Sequence, residues 1–167
     1  MIVCMASCNG SNFKAIVEFG IPIDIVITNN IKAGVITKAL DANIQCIISE
    51  DRYEDCVPDN TKLVILAGFM RLLSKDFVER FRTINIHPSL LPSFKGVNAV
   101  KQALDAKVNW SGCTVHWVDE GIDTGKIITQ ITCPVYEDDT EQILHNRIHD
   151  LEHKIYPDTI QAILRKV

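Results

Sequence analysis

The apolar positions fall into short unbroken runs, separated by polar stretches in which apolar residues recur at helical spacing. Residues 1–6 form the first run, closed by Ser7-Cys8-Asn9-Gly10-Ser11-Asn12, after which Phe13, Ile16, Val17 and Phe19 fall on one helix face. This predicts strand, loop, helix. The pattern repeats: 23–28 is rich in β-branched residues between Pro22 and Asn29-Asn30, 33–42 reads as a helix, and 44–48 reads as a strand. Residues 50–61 are polar, contain Pro58 and read mainly as loop. A further run at 63–67 ends at Gly68 and leads through a helix-like stretch at 74–81 to a strand at 83–87. Strands that are apolar throughout and alternate with helices belong to a parallel sheet covered on both faces.

The C-terminal half has a different pattern. Residues 113–118 and 127–135 are mixed strands around the turn-rich 119–125, suited to antiparallel addition to the sheet. A last helix is predicted over 140–153, with Thr140 as its N-cap, running on past Pro157 to Leu164. The expected fold is a single α/β domain over 1–167. Its sheet is Rossmann-like, parallel in the N-terminal half with added antiparallel strands in the C-terminal half, and carries helices on both faces. Ligands of such sheets sit beyond the carboxyl ends of the strands, so the loops at 7–12, 68–71 and 87–95 are expected around one crevice.

Composition narrows the function classes. A chain that is 47% hydrophobic and 23% charged, with only eight Gly and six Pro, is neither collagenous nor disordered. The net charge of −4, without any basic block, argues against a protein held by nucleic-acid phosphates. Six cysteines are spread without a CxxC pair, mostly inside apolar runs, so they read as reduced core thiols and no metal site is expected. The run at 1–6 lacks a preceding basic stretch and is too short for a signal or a membrane span. A cytoplasmic protein with no membrane partner is the expectation.

Candidate chemistry concentrates in three places. In Ile84-Asn85-Ile86-His87-Pro88, Asn85 and His87 lie two apart on a strand and share a face, and Pro88 favours an extended His87. Taken alone, such a pair is a weak signal and better suits a structural role. The loop Asp119-Glu120-Gly121-Ile122-Asp123-Thr124-Gly125 lacks the ligand spacing of a calcium loop and by itself reads as a solvated turn. If Asp123 folds over His87, its charge favours the imidazolium form. Asn9-Gly10-Ser11-Asn12 offers backbone amides at a helix N-terminus, either as a capped turn or as an anion site. His116 reads as a core or supporting residue. His145, His149 and His153, four apart on the last helix, form a solvated or partner-facing stripe.

Taken together, these segments closely resemble the phosphoribosylglycinamide formyltransferases, folate-dependent enzymes of purine synthesis. The resemblance rests on Ser7 to Asn12, Leu66-Ala67-Gly68-Phe69-Met70-Arg71, Asn85 through Gly96, Gly112-Cys113-Thr114-Val115-His116 with Asp123, and Glu152-His153-Lys154-Ile155-Tyr156-Pro157. They run in the family's order along nearly the whole chain. The resemblance implies transfer of a formyl group from 10-formyltetrahydrofolate, a co-substrate, to the amine of glycinamide ribonucleotide, with Asn85, His87 and Asp123 as catalytic residues. It assigns the ribonucleotide to Gly10, Ser11, Asn12, His149, Asp150, Leu151 and Glu152. The folate falls to Arg52, Met70, Arg71, Leu72, Leu73, Asn85, Asp119, Glu120, Gly121, Ile122 and Asp123. The implied partners are small molecules, and the sequence leaves a homodimer open.

Relatives with the same chemistry fit less well. A methionyl-tRNA formyltransferase needs a tRNA-binding extension and basic surface, and formyltetrahydrofolate hydrolases usually carry an additional N-terminal domain. A non-catalytic binding domain is at odds with the intact Asn85, His87 and Asp123. Two departures from the family pattern stand out: Cys8 replaces a usual glycine, which is expected to tighten the phosphate loop, and 50–62 is shorter than usual. Arg52 therefore matches its family position only approximately.

Overall fold

The computed structural model describes residues 1–166. Two compact units, Met1–Asn85 and Ile86–Val167, divide the chain inside strand β5. The first holds β1 (Ile2–Met5), α1 (Ser11–Glu18), β2 (Ile25–Thr28), α2 (Val35–Asp41), β3 (Gln45–Ile48), a 3-10 turn at Glu54–Cys56, β4 (Leu63–Leu66), α3 (Lys75–Arg80) and the start of β5 (Thr83–His87). Its strands are all parallel, in the order β3-β2-β1-β4-β5. β1, β2 and β4 are buried at every position, whereas the edge strand β3 is half-exposed. That burial is why the inner strands read as unbroken apolar runs, with Val3 opposite Ile25 on one side and Val64 on the other. The chain moves outward from β1 to β3 and returns on the other side of β1 as β4. The carboxyl ends of β1 and β4 therefore mark the switch point where sheets of this kind bind ligands.

The second unit continues from the end of β5 through α4 (Ala99–Asp105), β6 (Trp110–Trp117), β7 (Ile127–Pro134) and α5 (Glu141–Leu164). β6 pairs antiparallel with β7 from Trp110 opposite Pro134 to His116 opposite Ile127, so the strands of this unit are antiparallel, as the sequence pattern predicts. The Thr140 hydroxyl accepts from the Ile143 amide at 3.3 Å and starts α5 where expected. Leu144, Ile148, Glu152, Tyr156, Ile160 and Ile163 are its buried stripe, and Pro157 lies inside it. Two features differ from expectation. The helix α4 was not predicted, and β6 starts at Trp110, three residues before the predicted strand. The cysteines also divide: Cys4, Cys113 and Cys133 are buried as expected, but Cys46 and Cys56 are half-buried and Cys8 is exposed. The reading of six core thiols is corrected to three, because strand β3, the turn at 54–56 and the loop after β1 lie at the surface. Burial pushes the Cys4 thiol up to about 12, which keeps it inert.

Candidate active site

Ser7 organises the switch point in the first unit. Its amide donates to Gly68 O (3.0 Å), its hydroxyl donates to Asn29 Oδ1 (2.5 Å) and accepts from the Met70 amide (2.8 Å), and its carbonyl accepts from Asn30 Nδ2 (3.2 Å). One buried serine thus ties together the loops after β1, β2 and β4. Beyond it, Gly10 takes a left-handed conformation (φ 74°) at the N-cap of α1, where no side chain caps the helix. Gly10 thus opens the first turn of α1, to which Ser11 and Asn12 belong, the position at which helices in general bind anions. A Cβ at Gly10 would lie 2.8 Å from Cβ and Cγ2 of Val35. Gly10→Ala is therefore expected to cost about 1–3 kcal/mol, from crowding together with positive φ, read as a lower urea midpoint. An unchanged midpoint would contradict the packing described.

Cys8 corrects a second expectation. Left-handed non-glycine residues among the described positions are Asn43, Phe94, Asn98, Lys107 and Asp123, so Cys8 needs no glycine-like freedom. The loop is held instead from α2: the Val35 amide donates to Cys8 O (3.3 Å) and Lys38 Nζ to Asn9 Oδ1 (2.9 Å).

Of the residues assigned to folate in the first unit, Arg52, Leu72 and Leu73 come together. An open cleft is lined by residues 51–55 and 72–74, which brings Arg52 beside Leu72 and Leu73 despite the shortened stretch. Tyr53 donates its hydroxyl to Leu72 O (3.1 Å) and stacks edge-on against Phe69 (5.1 Å). Glu54 accepts from the amide and hydroxyl of Ser74, both at 2.6 Å. Arg52 itself points to solvent and pairs with Asp55 at 2.7 Å. Met70 and Leu72 are more than 60% exposed, and Leu72 lines the cleft.

Asn85 closes the first unit and shares a strand face with His87, which is buried at the end of β5. In the second unit, His87 Nδ1 lies 3.3 Å from Asp123 Oδ2, and its Nε2 lies 2.8 Å from Phe94 O. Both ring nitrogens face acceptors, and only imidazolium can donate to both. Asp123 also accepts from the Gly96 amide (2.8 Å), and its other oxygen lies 3.5 Å from His116 Nε2. His116 Nδ1 in turn faces the Trp117 carbonyl at 2.9 Å. The register shifts at this point: Val115 stands opposite Thr129 and His116 opposite Ile127, so Ile128 of β7 is left without a partner in β6.

The Asp123 loop is shaped to reach this position. Asp119 accepts from the Gly121 amide (3.0 Å) and the Thr124 hydroxyl (2.6 Å), Asp123 is left-handed (φ 52°), and a Cβ at Gly125 would fall 1.7 Å from Trp117 O. Only glycine permits that approach. Burial alone would push the Asp123 carboxyl up, but hydrogen bonds from His116 and Gly96 and the charges of His87 and His116 outweigh it. Its pKa lies below the ordinary 3.8. A depressed carboxylate contributes stability that is fully present above its unfolded pKa and is lost as the pH falls through the folded one. Asp123→Asn should therefore unfold more easily than the parent at pH 7, with the gap closing below pH 3.8. Denaturant midpoints that differ equally at every pH would contradict this.

On α5, Glu152 is buried, His149 and His153 are half-buried and His145 is exposed, so the histidine stripe is solvated only at one end. The His149 and His153 rings tilt together at 4.1 Å, and burial followed by the neighbouring histidines lowers the His149 pKa. Among the described residues, no group of three His, Cys, Asp or Glu is arranged to hold a metal. Burial and then the Glu152 charge push the Cys113 thiol up. Asp150 is exposed and Leu151 half-buried.

Sequence reasoning did not assign the Phe94 carbonyl or the Gly96 amide to the site. Both lie inside the string that runs from Asn85 to Gly96, but backbone groups leave no side-chain signature.

Residues 1–160 match the family model described as formyl transferase. The chain is 38% identical to phosphoribosylglycinamide formyltransferase of Bacillus subtilis, covering 95% of this chain and 92% of that protein. It is 39% identical over 97% of its length to the human trifunctional purine biosynthetic protein adenosine-3, and spans 18% of that protein's length. The related Chironomus tentans protein is 38% identical, with 95% of this chain covering 13% of its length. Among solved structures, phosphoribosylglycinamide formyltransferase from Streptococcus pneumoniae superposes with a TM-score of 0.92 at 34% identity, covering 98% of both chains. The enzyme from Anaplasma phagocytophilum gives the same TM-score at 36% identity, over 99% of this chain and 87% of that one. On this sequence and structural likeness the chain belongs to the formyl transferase family, among the phosphoribosylglycinamide formyltransferases.

Proposed function

We propose that the protein transfers the formyl group of 10-formyltetrahydrofolate to the glycinamide amine of N1-(5-phosphoribosyl)glycinamide, giving the N-formyl product and tetrahydrofolate in purine (IMP) synthesis. The observation that carries this reading is the buried His87–Asp123 pair, 3.3 Å apart at the end of β5. The amine attacks the formyl carbon, and the C–O double bond becomes a negatively charged oxygen. Imidazolium at His87 and the amide of Asn85 donate to that oxygen, with Nε2 exchanging the Phe94 carbonyl for it, and Asp123 stabilises the positive ring. Collapse reforms the carbonyl and breaks the bond to the folate nitrogen. The proton lost by the amine matches the one gained by the leaving nitrogen.

On this reading Gly10, Ser11 and Asn12 hold the phosphate and His149, Asp150, Leu151 and Glu152 the glycinamide end. Arg52, Met70, Arg71, Leu72, Leu73, Asn85 and Asp119 through Asp123 hold the folate. The exposed Met70, Leu72 and Ile122 side chains support an aromatic donor. Tetrahydrofolate release, followed with the donor alone and with the donor plus ribonucleotide, tests the proposal. Release that depends on the ribonucleotide is expected, and release at the same rate in water alone would replace transfer by hydrolysis.

A further inference from the structure

The segment between His87 and Phe94 is fixed by a polar chain that begins on the opposite edge of the second unit. Thr114 of β6 is fully buried, and its hydroxyl donates to Ser89 O (2.6 Å) while accepting from the Leu91 amide (3.1 Å) and Gln130 Nε2 (2.9 Å). Gln130 stands opposite Thr114 on β7, is exposed, and also donates to Leu91 O at 2.8 Å. From there Ser89 passes the order on, its hydroxyl donating to Ser93 O at 2.6 Å. The next residue, Phe94, is left-handed (φ 55°) and supplies the carbonyl on His87 Nε2. Every lone pair and proton of the buried Thr114 hydroxyl is used, as a low-dielectric network requires.

We propose that Thr114 and Gln130 are positioning residues for His87: this cross-strand pair sets the course of residues 88–94, and so the direction of the imidazole Nε2 that meets the reacting oxygen. The inference rests on the formyl-transfer reading for its consequence in catalysis, though not for its consequence on the ring. Neither side chain hydrogen-bonds to His87, whose ring nitrogens face Asp123 and Phe94 O. Their effect passes through the Leu91 and Ser89 backbone, where a misplacement of about 1 Å at the reacting group is enough to lower turnover by about 10²-fold.

Three variants and two readouts test it. Thr114→Val keeps shape but removes the hydroxyl, and it should lower kcat by about tenfold or more while both KM values stay within about threefold. Thr114→Ser, which restores the hydroxyl, should return kcat to within about threefold of the parent. Gln130→Met changes an exposed strand residue, so the protein should stay folded, and kcat should fall by about threefold or more. A kcat within about twofold of the parent in either hydroxyl-free or amide-free variant, or failure of serine to rescue, would overturn the proposal. If Thr114→Val does not fold, Gln130→Met decides. Independently of turnover, the His87 Nε2 proton resonance should lose its hydrogen-bonded shift in Gln130→Met, and an unchanged resonance would overturn the proposal. A parent that transfers no formyl group defeats the proposed function alone, because the ring resonance still decides this one.

Discussion

Replacing His87 by alanine is expected to lower formyl transfer by about 10²- to 10³-fold, or roughly 3 to 4 kcal/mol of transition-state stabilisation, while both substrates still bind. Imidazolium is needed most when the formyl oxygen becomes negative, so its loss acts on kcat more than on KM. The surroundings should survive the change, because Asp123 keeps the Gly96 amide at 2.8 Å and His116 at 3.5 Å. Single-turnover rates with saturating substrates check this. Turnover within about tenfold of the parent would remove His87 from the chemistry.

The second large effect concerns the phosphate. Glycinamide riboside, which lacks it, is expected to bind at least about 10²-fold more weakly than the ribotide, since two charge-assisted hydrogen bonds are worth about 1.5–3 kcal/mol each. Folate affinity should not change. On the proposed reading the phosphate meets backbone at the start of α1, where the left-handed Gly10 packs against Val35. Cys8→Gly should leave ribotide affinity unchanged, because Cys8 is not among the left-handed residues. Calorimetric titration of both ligands gives the comparison directly. Equal affinities for riboside and ribotide would mean that the loop 9–12 does not hold the phosphate.

Much of this protein is legible in its sequence, for reasons that differ along the chain. β1, β2 and β4 were legible because burial on both faces leaves no room for polar residues, and their bounds shifted by only a residue or two. Helix α4 was not, since its buried face is Ala99, Val100 and Ala103, which gives a faint apolar stripe over seven residues. Its start at the left-handed Asn98 has no side-chain cap to announce it. Asn85 and His87 were legible because period two on a strand fixes their shared face. The partners of His87 are another matter. Asp123 was reached through the family's pattern, but its approach depends on a left-handed residue, a glycine packed on the Trp117 carbonyl and a register shift beside His116, none of which spacing encodes. The Cys8 expectation failed because a residue in place of a usual glycine reveals the φ of the relatives, not its own.

The most direct measurement follows the carbon itself. With enzyme in excess, 10-formyltetrahydrofolate labelled with ¹³C in the formyl group, and glycinamide ribonucleotide, the label is observed by NMR through one turnover. It should move from the folate nitrogen to the glycinamide nitrogen without passing through free formate, and it should move far more slowly in His87→Ala. Label that remains on the folate, or that leaves as formate whether or not the ribonucleotide is present, would contradict formyl transfer by this site.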